Sequence, residues 1–343
     1  MPVRIVSRHA SEDGQTPRES HGQRVSGEPV RIGLVNNMPE GAFKATEHQF
    51  LDLLKAGCKE LEVELSLYVL RGTPMAAAHS GRANSRYACT NELAGQRLDG
   101  LIVTGTEPLT PSLKDEPYWQ SFCELVEWAR DNTVSTVWSC LAAHAAVLHV
   151  DGIERRRNHA KHFGIFKCDR VSDHWLLNGA GPHVSIPHSR WNGVGEQDLV
   201  ARGYEVLTRT PNAEVDTFVK QENSLFVFFQ GHPEYETDTL LREYRRDVGR
   251  YLSNEASAYP PVPRGYFDSG IEGAFAALRE NAASFTRDQL LDEMATIMKT
   301  IRIDNAWKST ATLMYGNWLN YLCACKEESR STGEVDSSRV AYP

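Results

Sequence analysis

The stretch Thr133-Val134-Ser135-Thr136-Val137-Trp138-Ser139-Cys140-Leu141-Ala142-Ala143-His144-Ala145-Ala146-Val147-Leu148 changes character at its cysteine. β-Branched residues at 133, 134, 136 and 137 favour an extended chain, and the alanine-rich run after Cys140 favours a helix, so Cys140 stands on the turn between them. Such a turn presents a side chain at the carboxyl edge of a parallel sheet, where ligands bind in open α/β folds. The helix N-terminus favours a thiolate there. A buried, inert cysteine is the competing reading, and on this stretch alone it is the commoner one.

A second stretch shifts that balance. Ser224-Leu225-Phe226-Val227-Phe228-Phe229-Gln230-Gly231-His232-Pro233-Glu234-Tyr235 is another apolar strand, ending in Gly-His-Pro-Glu. A cysteine at one strand end and His-x-Glu at another supply a nucleophile, a base and a carboxylate that orients the base. The two strand ends are distant in the chain, so the sequence requires only that the fold make them neighbours.

The chain has 343 residues, a net charge of −8 and 41% hydrophobic residues, which suits one large or two modest domains with a substantial core. Its acidic balance argues against nucleic acid as a partner. The basic run Arg155-Arg156-Arg157 suits a phosphate-bearing ligand or, more simply, a solvated helix end. Seven cysteines are scattered without a CxxC pair or zinc-like Cys/His spacing, the pattern of reduced cytoplasmic thiols, and no metal is expected. No signal-peptide h-region and no apolar run long enough to span a membrane is found.

Residues 1–29 are polar and are expected to form a flexible arm, or a strip ordered against the domain or a partner subunit. The globular part, 30–325, begins with a strand at 31–35, a loop Asn36-Asn37-Met38-Pro39, and an amphipathic helix through 48–54. Further strands are expected at 62–70 and 98–105, and a helix at 118–130. This alternation predicts an α/β fold with a mostly parallel sheet flanked by helices. Shorter strands and turns are expected over 160–230. Residues 237–248 read as a helix with Glu243 and Arg246 on one face, residues 271–301 as helical with a break near 281–286, and 326–343 as a disordered tail.

These motifs resemble the homoserine O-acyltransferases of the succinyltransferase type, within the class I glutamine-amidotransferase-like (flavodoxin-like) superfamily. The resemblance runs from about Arg31 to Cys323 and includes Asn-x-Met-Pro at 36–39, Leu101-Ile102-Val103-Thr104-Gly105, Tyr118-Trp119, the Cys140 turn, Pro187-His188-Ser189-Arg190, Gly231-His232-Pro233-Glu234-Tyr235, Glu-x-x-Arg-Asp at 243–247 and Asn317-Trp318-Leu319-Asn320-Tyr321. It implies that Cys140 takes an acyl group from acyl-CoA, that His232 is the general base, and that Glu234 orients it. It further implies that Lys161, Ser189, Arg190, Glu243 and Arg246 contact the substrates, that L-homoserine is the acceptor in methionine synthesis, and that the enzyme is a cytoplasmic homodimer without a bound cofactor. An oxyanion hole is expected from the Leu141 amide and from one near the Asn37-Met38-Pro39 or Gly105 loop.

Three departures bear on the substrate. The loop bearing the family's lysine is longer here, at 40–44, which leaves the part of Lys44 open. At the position linked to acyl selectivity stands Thr110, which leans towards succinyl-CoA over acetyl-CoA as donor. Residues 271–301 resemble an insertion, either surface decoration or a dimer contact, or else a lid or an altered acceptor pocket. L-Serine or another hydroxyl amino acid is therefore an alternative acceptor. A glutamine amidotransferase fits poorly, because Ser139 and Leu141 flank Cys140 in place of glycines. A silent metabolite-binding protein of the same fold is the remaining alternative.

Overall fold

The computed structural model describes residues 3–6, 28–79, 85–212 and 214–332. In chain order its first half comprises β1 (Val3–Ile5), β2 (Val30–Val35), α1 (Glu40–Gly57), β3 (Val63–Val69), α2 (Pro74–His79), β4 (Tyr87–Cys89), β5 (Leu98–Val103), α3 (Trp119–Asn132), β6 (Thr133–Ser139) and α4 (Leu141–Asp151). There follow β7 (Arg156–Arg170), β8 (His183–Gly193), α5 (Glu196–Val200), β9 (Glu205–Val206), β10 (Thr208–Arg209), β11 (Thr217–Gln221), β12 (Leu225–Phe229), α6 (Thr239–Leu252), α7 (Ser269–Glu280), α8 (Arg287–Met298) and α9 (Trp307–Thr332).

The main sheet runs β1-β3-β2-β5-β6-β12-β11-β9, with β4 also paired to β3. Its parallel centre, β3-β2-β5-β6-β12, has the flavodoxin order 2-1-3-4-5 when those strands are counted along the chain. Period-two alternation sends successive side chains to opposite faces. Val137, Val227 and Phe229 join the core under α1 and α9, whereas Trp138, Phe226 and Phe228 join the core under α3 and α4. Burying each of these large side chains contributes roughly 1.5–3 kcal/mol relative to exposure.

Helix α9 explains the motif at 317–321. Trp318 Nε1 donates to Ser135 Oγ at 2.9 Å, and Asn317 Nδ2 donates to the carbonyls of Leu176 and Asn178 at 3.0 and 2.9 Å. Backbone meets backbone where α9 crosses α1, because a Cβ on Gly57 would lie 2.9 Å from the Gly316 nitrogen.

The start of the N-terminal arm follows the ordered alternative, since β1 pairs in parallel with β3, Val3 opposite Val63, while residues 7–27 lie outside the described residues. Other expectations need correction. The polar tail does not begin at Lys326. Helix α9 continues through Thr332, and Lys326 Nζ donates to Asp99 at 2.9 Å and to the Pro29 carbonyl at 2.8 Å, which ties the helix end to the sheet. Residues 333–343 lie outside the described residues. Between 156 and 193 the chain forms two long antiparallel strands, β7 and β8, with a register shift between Arg157 and His162. Their polar, partly exposed faces hid that length.

Helices α7 and α8 meet at the break expected near 281–286, where Thr286 and Gln289 form a capping box. They pack on α6 through Phe275, Leu278, Leu290 and Met294 against Tyr244 and Val248. No residue of 271–301 borders the cavity described below. The hairpin therefore shares a core with α6 and does not line the cavity.

Candidate active site

Strands β6 and β12 lie side by side with Ser139 opposite Phe229, so the loops leaving them emerge together. The Cys140 amide extends the ladder by one bond to the Phe229 carbonyl, at 2.7 Å. The chain then turns sharply: Cys140 has φ 52° and ψ −112°, a strained conformation for a residue with a Cβ, and Leu141 begins α4. The thiol is thus held at the helix N-terminus, above the sheet edge.

On the neighbouring loop the His232 amide donates to the Pro187 carbonyl at 2.7 Å. His232 Nδ1 pairs with Glu234 Oε1 at 2.8 Å, and its ring stacks on Tyr235 with centroids 4.2 Å apart. With Nδ1 held by the carboxylate, the other ring nitrogen is left for Cys140, which borders the same cavity. Burial opposes charge on His232, but the negative Cys140 and Glu234 outweigh it and hold the imidazole's pKa well above its ordinary value.

A cavity of about 290 Å³ opens over this pair. It lies where ligands bind in this strand order, outside the carboxyl ends of β2, β5, β6 and β12. Met38, Pro39, Thr104, Gly105, Cys140 and His232 border it. Across from the sheet edge, α6 contributes a charged face. Ser189 Oγ and Tyr235 Oη each donate to Glu243 at 2.5 Å; Lys161 Nζ and Arg246 both bind Asp247, at 2.8 and 2.9 Å. Arg246 also lies 3.9 Å from Glu243. Burial alone would raise the Asp247 pKa, but Lys161 and then Arg246 hold it below the usual carboxylate range. Acid and base in this order suit an amino-acid zwitterion: a carboxylate to receive the ammonium and a guanidinium to grip the carboxylate.

The homoserine O-succinyltransferase family model matches residues 7–329. The chain belongs to the homoserine O-succinyltransferase family. A relative of that name from Rhodopseudomonas palustris is 45% identical over 305 residues, 89% of this chain and 90% of its own. Another from Bradyrhizobium japonicum is 43% identical over 307 residues, 88% and 93% respectively. Among solved structures, a glutamine amidotransferase from Thermotoga maritima overlaps 86% of this chain and 99% of its own, with a TM-score of 0.48 and 10% identity.

Of the residues that resemblance to this family suggested, Lys161, Ser189, Glu243 and Arg246 border the cavity with their charged or hydroxyl groups in one network. Arg190 also borders the cavity, with its largely buried guanidinium bonded to protein: Nε donates to His188 Nδ1 at 3.1 Å, Nη1 to the Asn192 carbonyl at 2.7 Å and Nη2 to Glu214 at 3.2 Å. One residue does not fit the part expected of it. Thr110 does not border the cavity; its amide and hydroxyl both bind Glu116, at 2.8 and 2.9 Å. The cavity wall on that side is formed by Thr106, Glu107 and Pro108. Lys44 is exposed on α1 and does not border the cavity, where Ala42, Thr46 and Gln49 stand in its place.

The two loops considered for an oxyanion hole also separate. The Asn37 amide is bonded to Thr104 Oγ1 at 2.8 Å and the Met38 amide to Asn36 Oδ1 at 3.2 Å. Gly105 instead approaches the nucleophile turn so closely that a Cβ there would lie 2.8 Å from the Leu141 nitrogen. Tyr235 and Asp247, quoted above within motifs, had been given no role, and Arg250, paired with Glu107 at 3.0 Å, was missed. The helical spacing of 243, 246, 247 and 250 was available as a signal for the α6 residues.

One buried cluster has metal-ligand composition: Cys168, His188 and Asp216 bring their ligand atoms within 4.8 Å of one another. Arg190 occupies His188 Nδ1 and the Thr208 and Thr217 hydroxyls occupy Asp216 Oδ2 at 2.9 and 2.7 Å, while His188 Nε2 and Asp216 Oδ1 face each other at 3.1 Å and burial pushes the Cys168 thiol up. The cluster fits a hydrogen-bonded support under the His232 loop better than a cation site.

Proposed function

We propose that this protein transfers a succinyl group from succinyl-CoA to the hydroxyl of L-homoserine through a thioester on Cys140, in cytoplasmic methionine biosynthesis. The observation that carries this reading is the Cys140–His232–Glu234 constellation opening onto the Glu243/Arg246 face. The name that the relatives carry agrees with it.

In the first half-reaction the Cys140 sulfur attacks the acyl carbonyl of the CoA thioester, its proton having passed to His232. The oxyanion that develops meets the Leu141 amide at the N-terminus of α4 and the Gly105 loop. Collapse expels CoA thiolate, which takes the proton from His232, leaving neutral imidazole and acylated Cys140. In the second half-reaction His232 removes the proton of the homoserine hydroxyl as its oxygen attacks the thioester; collapse releases the O-acyl ester and returns the proton to the Cys140–His232 pair. Glu234 holds the imidazole in the required tautomer throughout. Glu243 receives the ammonium of homoserine, and Arg246, with Lys161 beside it, receives the carboxylate. The sequence of proton transfers calls for no metal or organic cofactor beyond acyl-CoA.

The test is release of CoA thiol from succinyl-CoA and from acetyl-CoA, each with L-homoserine, L-serine or no acceptor, with mass analysis of the product. Homoserine-dependent release from succinyl-CoA with formation of an O-succinyl ester is the expected result. A preference for acetyl-CoA or serine would redirect the donor or acceptor, and silence with every pair would leave a metabolite-binding protein. Sedimentation of the intact chain tests the homodimer that the resemblance implies.

A further inference from the structure

The three arginines at 155–157 have three different fates. Arg156 is exposed and bonds to Asp198 at 2.6 Å, and Arg157 stacks over the Trp191 ring at 4.7 Å. Arg155 is partly buried and turns into the active-site cavity. The other cations bordering that cavity are paired: Lys161 and Arg246 with Asp247, Arg250 with Glu107, and Arg190 with Glu214. Arg155 has no carboxylate within 4.0 Å among the described residues. Its hydrogen bond is to a neutral group, the Pro111 carbonyl, from Nη2 at 3.3 Å. Glu116 and Glu154 act on it only from farther off, and Glu116 Oε1 is occupied by the Leu109 and Thr110 amides.

A partly desolvated guanidinium facing a cavity without a counter-ion is a site for an anion. The geometry points to the terminal carboxylate of the donor's acyl group as that anion, so that Arg155 determines selectivity for a dicarboxylic acyl chain. This rests on the acyl-transfer reading above. Three anions enter such a site. The acceptor's carboxylate has its own partner in Arg246 on α6. The phosphates of CoA lie a full pantetheine arm from the thioester, whereas Arg155 and Cys140 border the same cavity. A succinyl carboxylate, two methylenes from the thioester carbon, remains near Cys140 through both half-reactions. The bond to Pro111 also gives Thr110 an indirect part: the Glu116-anchored loop at 109–111 positions the guanidinium without touching the substrate.

The experiment compares kcat/KM for succinyl-CoA with that for butyryl-CoA, which replaces the terminal carboxylate with a methyl group, in the unsubstituted protein and in Arg155→Gln and Arg155→Lys. The succinyl-to-butyryl ratio is expected to fall on the order of 10- to 100-fold in Arg155→Gln, as for loss of a charge-assisted contact, and to recover in part in Arg155→Lys. The homoserine KM is expected to stay put, and a thermal melt checks that each variant is folded. An unaltered ratio in folded Arg155→Gln overturns the assignment, as does a rise in homoserine KM in its place. Absence of acyl transfer from either donor by the unsubstituted protein overturns the underlying reaction instead.

Discussion

Ser139 and Phe229 are direct partners across two parallel strands, and each stands at the carboxyl end of its strand. That single register places Cys140 and the Gln230-Gly231-His232 turn side by side. The strain of the nucleophile turn follows from it, because the Cys140 amide is bonded to the Phe229 carbonyl while the next residue must already begin α4. Cys140→Ala is therefore expected to abolish acylation, by a factor on the order of 10⁴ or more, while keeping the backbone strain. Cys140→Gly removes the nucleophile and relieves the positive φ, so it should be the more stable of the two by about 1 kcal/mol, read as a higher Tm. Acyl-enzyme mass in Cys140→Ala would remove Cys140 from the mechanism.

The raised His232 pKa gives a second prediction. Burial works against the imidazolium, and the negative charges of Cys140 and Glu234 sustain it. Glu234→Gln keeps a group of similar shape and removes one of those charges, so the His232 pKa must fall. The alkaline limb of the acylation half-reaction, where the imidazolium needed to protonate the leaving thiolate is lost, should move down by about one pH unit or more, with the rate reduced on the order of 100-fold. A limb that stays in place would mean that Glu234 does not act on His232 through charge.

The α6 face predicts a separation of kinetic effects. Arg246→Ala should raise the homoserine KM by roughly 10- to 100-fold and leave the burst of CoA from the first half-reaction nearly intact, because the acyl donor is already bound without the acceptor. Glu243→Gln should do likewise through the ammonium. Equal loss in both half-reactions would assign these residues to architecture.

Two buried histidines set an acid limit on stability. Burial pushes both His144 and His188 down to about 4, and neither is bonded in a way that welcomes a second proton: His188 Nδ1 accepts from Arg190 Nε, and His144 Nε2 meets Gln230 Oε1 at 2.9 Å. The unfolded chain takes up these protons near 6.5 and the folded chain does not. Their contribution is thus whole above about pH 6.5 and is lost as pH falls towards 4, on the order of 3 kcal/mol for each histidine. Urea melts at pH 7 and pH 5 should show that loss, and His144→Gln should show less of it. An identical slope in the variant would take His144 out of the account.

The legible part of this fold was the part written in local chemistry. The strand-to-helix switch at Cys140 is encoded by a β-branched run followed by alanines and recurs at the same residue, while the strands leading to Gly105 and His232 end slightly earlier, at Val103 and Phe229. What escaped was encoded by contacts between distant segments. Arg190 sits in a motif that looks like substrate recognition, and its pairing with Glu214, from a separate segment, was not readable there. Thr110 occupies a suggestive position, yet Glu116 gathers it out of the cavity. Strands β7 and β8 were unreadable for a related reason: a solvated antiparallel face carries no continuous apolar run.

Gly105 offers the strictest test of how the site is assembled. The loop after β5 presses on the first turn of α4, and a methyl group at 105 would lie 2.8 Å from both the Leu141 nitrogen and its Cβ, closer than real Cβ contacts come. Neither neighbour can yield cheaply, since one is helix backbone and the other begins the turn that holds Cys140. Gly105→Ala should therefore separate the loop from the helix N-terminus and misplace the amides that meet the oxyanion, costing on the order of 100-fold in kcat. Donor binding, spread over the whole cavity, should change little. A matched variant, Gly41→Ala, meets nothing within 4 Å of the added Cβ and serves as the control. Normal kcat in folded Gly105→Ala would show that the close approach has no part in stabilising the transition state.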